Sequence, residues 1–427
     1  MNERESNPAS MRTKIFCARA VVCAAVCLGL ALPASPAPDN PAYIAIKAGN
    51  ILTITKGIIQ NGIVLVRAGK IEKVGRNIPI PAGAKVIDAS AYWLLPGFVD
   101  IHSHSGGEGA GDINDMVYSL NPGLRILDTI ALNTPGLRRA VAAGVTTINH
   151  IPGSGSNNGG TGVVMKTAGA SLEEVVLRFP GDLKIAQAGN PERRWTGEIG
   201  SGRMGMNWHL RQLMTEIKAY YDEVKAYESG ASKKKPDKNI DFEHIMQVFE
   251  GTLPIFVHVA WFQPVQTVFR MYHDELKLKN AIITHGEWDG SWNGPAIASR
   301  QVGYDCGPRL YDYEYESFYG IITEYAKRGV KNISINTDSV GLGEEKLFLQ
   351  ASMAVRLGLE EAAALEGITI NGARLFGIAG RVGSIEVGKD ADLVVWTGNP
   401  LDVRSHVILT MINGKVVYEV EKDGQRY

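Results

Sequence analysis

Cysteine is scarce, at four residues in 427, and Cys17, Cys23 and Cys27 all fall in one short N-terminal stretch. Without that stretch Cys306 stands alone, which excludes an internal disulfide. No His neighbours it, so a buried structural thiol is the default reading. A charge excess is missing too: 44 Lys and Arg face 45 Asp and Glu, for a formal net charge of −1. Nucleic acid or an anionic membrane surface would call for clustered basic charge. The run Lys233, Lys234 and Lys235 sits beside Gly230, Ser232 and Pro236 and reads as a solvated loop. Internal repeats are absent, and the one marked apolar run, residues 20–32, is too short to span a bilayer comfortably.

That run has a context. Arg12, Lys14 and Arg19 precede it and Pro33-Ala34-Ser35-Pro36-Ala37 follows it. Positive charge, a short apolar core and small residues, in that order, mark a secretory signal. Residues 1–37 are therefore expected to be a signal peptide cut near Ala34 or Ala37, with Met11 a plausible start. The mature chain would be periplasmic or extracellular, with no stable membrane insertion. A retained N-terminal anchor is the weaker alternative.

What is present has two textures. Residues 43–93 carry short β-rich runs between Gly and Asn turns, such as Ile51-Leu52-Thr53-Ile54 and Gly62-Ile63-Val64-Leu65-Val66. The C-terminal end repeats that texture, with a hairpin predicted at Asn413-Gly414. Between them, short apolar strands alternate with helical stretches at 210–227, 317–328 and 347–357. Such alternation argues for a parallel sheet, and the length suits a closed barrel. The expected fold is α/β: a (β/α)8 TIM barrel with a small composite β-sandwich formed from both ends of the mature chain. The expected boundaries are 38–95 and 380–427 for the sandwich, and 96–379 for the barrel, with a helical insertion at 207–249.

The chemistry concentrates at strand ends. In Pro96-Gly97-Phe98-Val99-Asp100-Ile101-His102-Ser103-His104 the alternation of a strand puts His102 and His104 on one face. Two imidazoles so placed can grip one cation, and imidazole suits zinc and other late first-row metals. Taken alone the pair is weak evidence, because two structural histidines look the same. His258 and His285 each end a further apolar strand, and Asp338 ends another. Five such groups at the rim where barrel strands meet their loops are hard to explain as packing. An N-cap role is the bland alternative for Asp338.

At this point the chain resembles the amidohydrolase superfamily, metal-dependent (β/α)8 hydrolases with a small β-sandwich. The first-strand motif above carries the resemblance, together with Gly383-Ser384-Ile385-Glu386-Val387-Gly388-Lys389-Asp390-Ala391-Asp392-Leu393-Val394. Asn371-Gly372-Ala373-Arg374-Leu375-Phe376-Gly377 adds to it, and the likeness runs over about residues 43–418. Within the superfamily the nearest branches are imidazolonepropionase-like and secreted prolidase-like. The resemblance implies one or two divalent metals, zinc first among them. His102 and His104 would hold the more buried one, His258 and His285 a second metal or the substrate, and Asp338 would be a metal-linked general base. It also implies a bridging carboxylated lysine on the fourth strand. Lys184 resembles that position, with an ordinary surface or salt-bridged lysine as the equal alternative. Relatives often carry Gly-Glu-Asn-Pro after this strand. Here it reads Ala188-Gly189-Asn190-Pro191, so that carboxylate is missing.

On the substrate side, His150, Arg309, Tyr311 and Trp288 are candidate contacts for a small molecule. Arg309 suits a carboxylate through a bidentate fork, with an ordinary rim salt bridge as the alternative. Trp292, Tyr313 and Tyr315 share those loops and would wall a pocket or pack a lid. The glycine-rich residues 153–162 offer backbone N–H groups to an anion, or form a rim loop. The expected activity is hydrolysis of a C–N bond in an amide, cyclic amide or dipeptide-like compound. A metal-binding scaffold that has lost catalysis, and a deaminase, are the alternatives. Val259, Ala260, Trp261 and Phe262 after His258 lack the Glu that a typical deaminase needs there. Self-association stays open.

Overall fold

The structure, a computed structural model, describes residues 42–193, 202–314, 316–339 and 342–424. The expected signal segment with its three cysteines, and Tyr315, lie outside the described residues.

The N-terminal part forms β1 (Ile44–Leu52), β2 (Ile58–Arg67), β3 (Lys70–Gly75) and β4 (Lys85–Pro96). The central part adds β5 (Phe98–Ser103), β6 (Val145–His150), β7 (Asn158–Thr161), β8 (Val163–Lys166), β9 (Val176–Arg178) and β10 (Leu183–Ala186). It continues with β11 (Ile255–Val259), β12 (Ala281–His285), β13 (Gly303–Cys306), the hairpin β14 (Tyr311–Glu314) and β15 (Ser317–Gly320), and β16 (Ser334–Ile335). Last come β17 (Leu393–Trp396), β18 (Val407–Ile412) and β19 (Lys415–Glu419).

Both ends of the described chain build one seven-stranded sheet in the order β19-β18-β17-β4-β1-β2-β3. β4 is the seam, parallel to β1 on one side and antiparallel to β17 on the other. The sheet folds back on itself: Ile71 N–H donates to Lys389 O at 2.9 Å and Gly388 N–H to Ile71 O at 2.8 Å. Ile46, Val64, Leu94, Leu393 and Met411 then share one apolar core. The hairpin turn is Asn413-Gly414, with φ of 50° and 74°, the mirror-image turn those residues adopt most readily.

The central strands form the α/β part. β10, β11, β12, β13 and β16 run parallel as neighbours, and β5 runs parallel to β6. The regular alternation breaks between β6 and β10. There β8 pairs antiparallel with β6, and β7 pairs antiparallel with β10. Only Gly162 separates β7 from β8, so one continuous stretch changes partner there. A Cβ on Gly162 would overlap the Asp182 carboxylate, whose Oδ1 accepts the Gly162 N–H at 2.8 Å. The expected parallel sheet is interrupted here by two antiparallel pairs. On the far side, Thr337 donates to Asp100 Oδ2 from its N–H at 3.1 Å and from its Oγ1 at 2.7 Å, linking the segment after β16 to β5.

Two helical expectations shift. Residues 317–328 split into β15 and a helix at Ile321–Lys327, because Phe318 pairs across the hairpin with Tyr313. In the expected insertion one long helix, Arg203–Glu228, buries Met206, Leu210, Leu213, Met214 and Ile217 along one face. The rest of it is mostly turns, ending in a short 3-10 helix at Met246–Val248.

Candidate metal centre

β5 is buried along its whole length, and His102 has no exposed surface. Its N–H donates to Asp100 Oδ1 at 3.0 Å, so the same carboxylate that receives Thr337 also fixes the end of β5. Burial and the nearby Glu344 push the Asp100 carboxyl well above the usual range.

The imidazoles are aimed by what their outer nitrogens touch. His102 Nδ1 lies 2.7 Å from Thr284 Oγ1, which donates to Asp305 Oδ2 at 3.1 Å. With its hydroxyl proton spent on Asp305, Thr284 must accept from His102 Nδ1–H. That leaves the Nε2 lone pair facing inward. Likewise His104 Nδ1 lies 2.8 Å from Ile151 O, and His285 Nδ1 2.5 Å from Gly307 O. A carbonyl only accepts, so both rings carry their proton outward and a lone pair on Nε2. His285 Nε2 is buried with no hydrogen-bond partner among the described residues. Burial pushes the imidazoles of His102, His258 and His285 down, keeping them neutral.

Asp338 closes the group. Its Oδ1 is 3.3 Å from His102 Nε2 and 3.2 Å from His104 Nε2. The backbone here is left-handed, with φ of 47° at Asp338 and 72° at His285. Such strain persists only where the surroundings enforce it. Ser339 helps to do so, taking the His104 N–H on its Oγ at 2.8 Å. One atom each from His102, His285 and Asp338 lie within 4.8 Å of one another. The His258 ring stands 4.4 Å from that of His285, with its Nδ1 buried and unpartnered among the described residues. Lone pairs facing a carboxylate oxygen repel unless a proton or cation sits among them, so the donor set fits a divalent metal.

Lys184 is fully buried, with Nζ 3.5 Å from His102 Nε2 and 5.4 Å from the centre of the Phe256 ring. This rules out the surface-lysine alternative. Burial lowers the pKa of its ammonium, against the pull of Asp338, Asp182 and Asp305. The neutral amine it thereby favours is the form that can add CO2 as a carbamate.

A cavity of about 360 Å³ opens over this group, lined in part by Asn190, Ala260, Trp261, Glu287, Trp288 and Pro308. Glu287 is the functional candidate that sequence reasoning missed. It lies two residues past His285 in the turn that leaves β12, and burial pushes its carboxyl up to about 7. Trp261 and Trp288 stack face to face at 4.7 Å. Arg203 covers the outer face of Trp261 at 5.1 Å and Arg309 that of Trp288 at 5.1 Å. The four side chains make one guanidinium–indole–indole–guanidinium pile across the rim.

Other substrate-side expectations need correction. Arg309 is engaged: it donates to Asp312 Oδ1 at 2.7 Å and to Tyr311 O at 3.3 Å while lying on Trp288. Tyr311 stands partly exposed on the β14–β15 hairpin, beside a separate groove lined by Leu310, Leu349 and Met353. Tyr313 is exposed on the same hairpin, and Trp292 carries Arg328 over its ring. His150 is buried against Gly106, away from the cavity lining, with neither ring nitrogen partnered among the described residues. The glycine-rich stretch is loop up to residue 157 and strand from Asn158, and several of its N–H groups are taken, at Gly153 by Ile113 O, at Gly155 by Asn114 Oδ1 and at Thr161 by Leu124 O.

Comparison with known proteins supplies a context. A model of the amidohydrolase family matches residues 321–417. The chain is 32% identical to an amidohydrolase of known structure from Thermotoga maritima MSB8, covering 88% of this chain and 100% of that one, with a TM-score of 0.80. It is 24% identical over 407 residues to the amidohydrolase tasK of Hapsidospora irregularis, which covers 84% of this chain but 40% of that protein. An imidazolonepropionase from Mesorhizobium japonicum is 23% identical over 376 residues, covering 80% of this chain and 87% of that one.

Proposed function

We propose, on the premise that the chain belongs to the amidohydrolase superfamily and is a hydrolase of C–N bonds, that it works with a divalent metal held by His102, His104, His258, His285 and Asp338. The observation that carries this is the convergence of buried imidazole lone pairs on one carboxylate, with the rings of His102, His104 and His285 each aimed by an outward Nδ1 contact. Zinc suits such a mixed nitrogen and oxygen set. When bound, a cation of this kind brings the pKa of water toward ~7. Asp338 takes a proton from the attacking water on its carboxylate and hands it to the leaving nitrogen. Lys184, as a carbamate, would offer a further anionic oxygen donor and allow a second metal. Glu287 faces the cavity as a hydrogen-bond acceptor for a substrate N–H.

The substrate class is an amide, cyclic amide or dipeptide-like compound, which fits a cavity of about 360 Å³ with carboxylate and indole walls. The two sheets of the α/β part are read as arcs of one barrel, joined at Gly162 and at the Asp100–Thr337 contact. The charge and apolar order of residues 12–37 supports export to the periplasm or beyond. Elemental analysis of the purified protein tests the central reading, together with a hydrolysis screen of cyclic amides and dipeptides. One or two metals per chain, removed by chelation together with activity, is the expected outcome. Metal-free protein with full activity would sink it.

A further inference from the structure

The turn that leaves β12 is held in an unusual way. His285, Gly286 and Trp288 have φ of 72°, 56° and 52°, so three of four consecutive residues are left-handed. Non-glycine residues adopt that conformation only under constraint. The constraint comes largely from tyrosine hydroxyls. Tyr304 Oη donates to His285 O at 2.9 Å, Tyr325 Oη to Gly286 O at 2.8 Å and Tyr319 Oη to Trp288 O at 3.2 Å. The fourth carbonyl, of Glu287, accepts the backbone N–H of Trp261 at 3.3 Å and of Gly290 at 3.1 Å. Every carbonyl from 285 to 288 is therefore occupied.

Tyr304 and Tyr325 form the rigid part. Both are fully buried, and their rings pack against each other, tilted by 31°, with centroids 3.9 Å apart. Tyr304 comes from β13 and Tyr325 from the helix Ile321–Lys327, so two elements are pinned to one turn. The fit is close: a Cβ on Gly286 would lie 2.5 Å from Tyr325 Oη and 3.0 Å from the Tyr304 ring.

The orientation of these peptide planes decides where two side chains point. Rotating the His285 carbonyl turns its Cα–Cβ bond and swings Nε2 away from Asp338, and it carries Glu287 out of the cavity. We infer that Tyr304 and Tyr325 are positioning residues, whose hydroxyls hold the left-handed turn that aims His285 at the metal and Glu287 at the substrate. This rests on the metal-site reading above. Tyr272 supplies an internal contrast, being equally buried but with a hydroxyl that has no partner among the described residues.

The test compares Tyr304→Phe, Tyr325→Phe and Tyr272→Phe in the full mature chain. Zn(II) affinity is read by competition with a chromophoric chelator, geometry by the visible spectrum of the Co(II)-loaded protein, and folding by the Tm of the metal-free protein. Outer contacts to metal ligands typically govern affinity by ~10–100-fold. Tyr304→Phe and Tyr325→Phe are expected to lose affinity on that scale and to shift the Co(II) bands. Tyr272→Phe should do neither; all three metal-free proteins should still unfold cooperatively, with Tyr304→Phe and Tyr325→Phe at a lower Tm because each leaves a buried carbonyl unpaired. Wild-type affinity and spectrum in Tyr304→Phe and Tyr325→Phe, with metal bound normally by the parent, would overturn the positioning role alone. An equal loss in Tyr272→Phe would also overturn it, since that is general loosening. A parent protein that binds neither metal would overturn the metal-site reading first and this inference with it.

Discussion

Two buried charge clusters lie in this molecule, and they are built on opposite rules. Where the α/β part meets the composite sheet, Lys166 contacts Asp392 and sits 3.1 Å from Asp390. Lys70 and Arg381 also pair with Asp390, and Asp392 accepts the Asn413 N–H at 2.9 Å. Each acid there has its own cation and further donors. In the other cluster, around Asp338, imidazole lone pairs face a carboxylate, and His285 Nε2 and His258 Nδ1 find no partner among the described residues. A cluster satisfied from within holds the fold together. One whose lone pairs converge unsatisfied is arranged for something that arrives later.

The contrast can be broken at either end. Asp338→Asn should lower kcat/KM on a cyclic amide or dipeptide substrate by roughly 10²–10⁴, the range for losing a positioned acid–base group. Its urea unfolding midpoint should barely move; a large fall would show that this cluster too is structural. Lys166→Met should do the reverse. Leaving two buried acids short of their central cation is expected to cost about 3–5 kcal/mol in chemical denaturation. Metal content per folded chain should stay as it was, and a near-neutral result would dissolve the distinction. Thr284→Val probes the contact behind His102. With the Asp305–Thr284–His102 chain cut, Zn(II) affinity should fall by roughly 10–100-fold while the fold persists. The smallest effect belongs to the composite sheet. Hydrogen bonding from Ser384, with Lys389 adding to it, holds the Glu386 carboxyl at about 2. A carboxyl depressed in the folded state stabilises fully above its ordinary value near 4.5 and loses that contribution as pH falls toward 2. The Tm gap between the parent and Glu386→Gln should therefore be small at pH 6 and close on acidification. A gap that widens instead would reverse the sign of this argument.

Legibility from sequence divides along similar lines. His102, His104, His258, His285 and Asp338 could be found because each is marked locally, by a short apolar run ending in a ligand-type residue. The composite sheet was legible from matching β texture at both ends and from Asn413-Gly414. Thr284, Asp305, Tyr304 and Tyr325 were not, because their roles come from the register between β12 and β13 and from a helix packed behind them. Arg309 misled because Asp312, three residues on, and the face of Trp288 capture it. The antiparallel stretch at β7 and β8 was hidden because Asn158-Gly159-Gly160-Thr161 reads as loop, and the short apolar run at β8 reads alike in either direction.

The seam at β4 carries a consequence for how the chain is made. β4 has β1 on one flank from early in synthesis, but its other flank waits for β17, near the far end of the chain. Until that strand emerges, Leu94 and Leu95 stand on an open edge, the feature that invites pairing with the wrong molecule. The long-range closure is slow to form for entropic reasons. A ribosome stalled anywhere before residue 393 would therefore release a chain with a sticky, half-built sheet, whatever the state of the cluster around Asp338. Completion of the last strands, rather than of the catalytic region, is the step that makes this protein safe to let go.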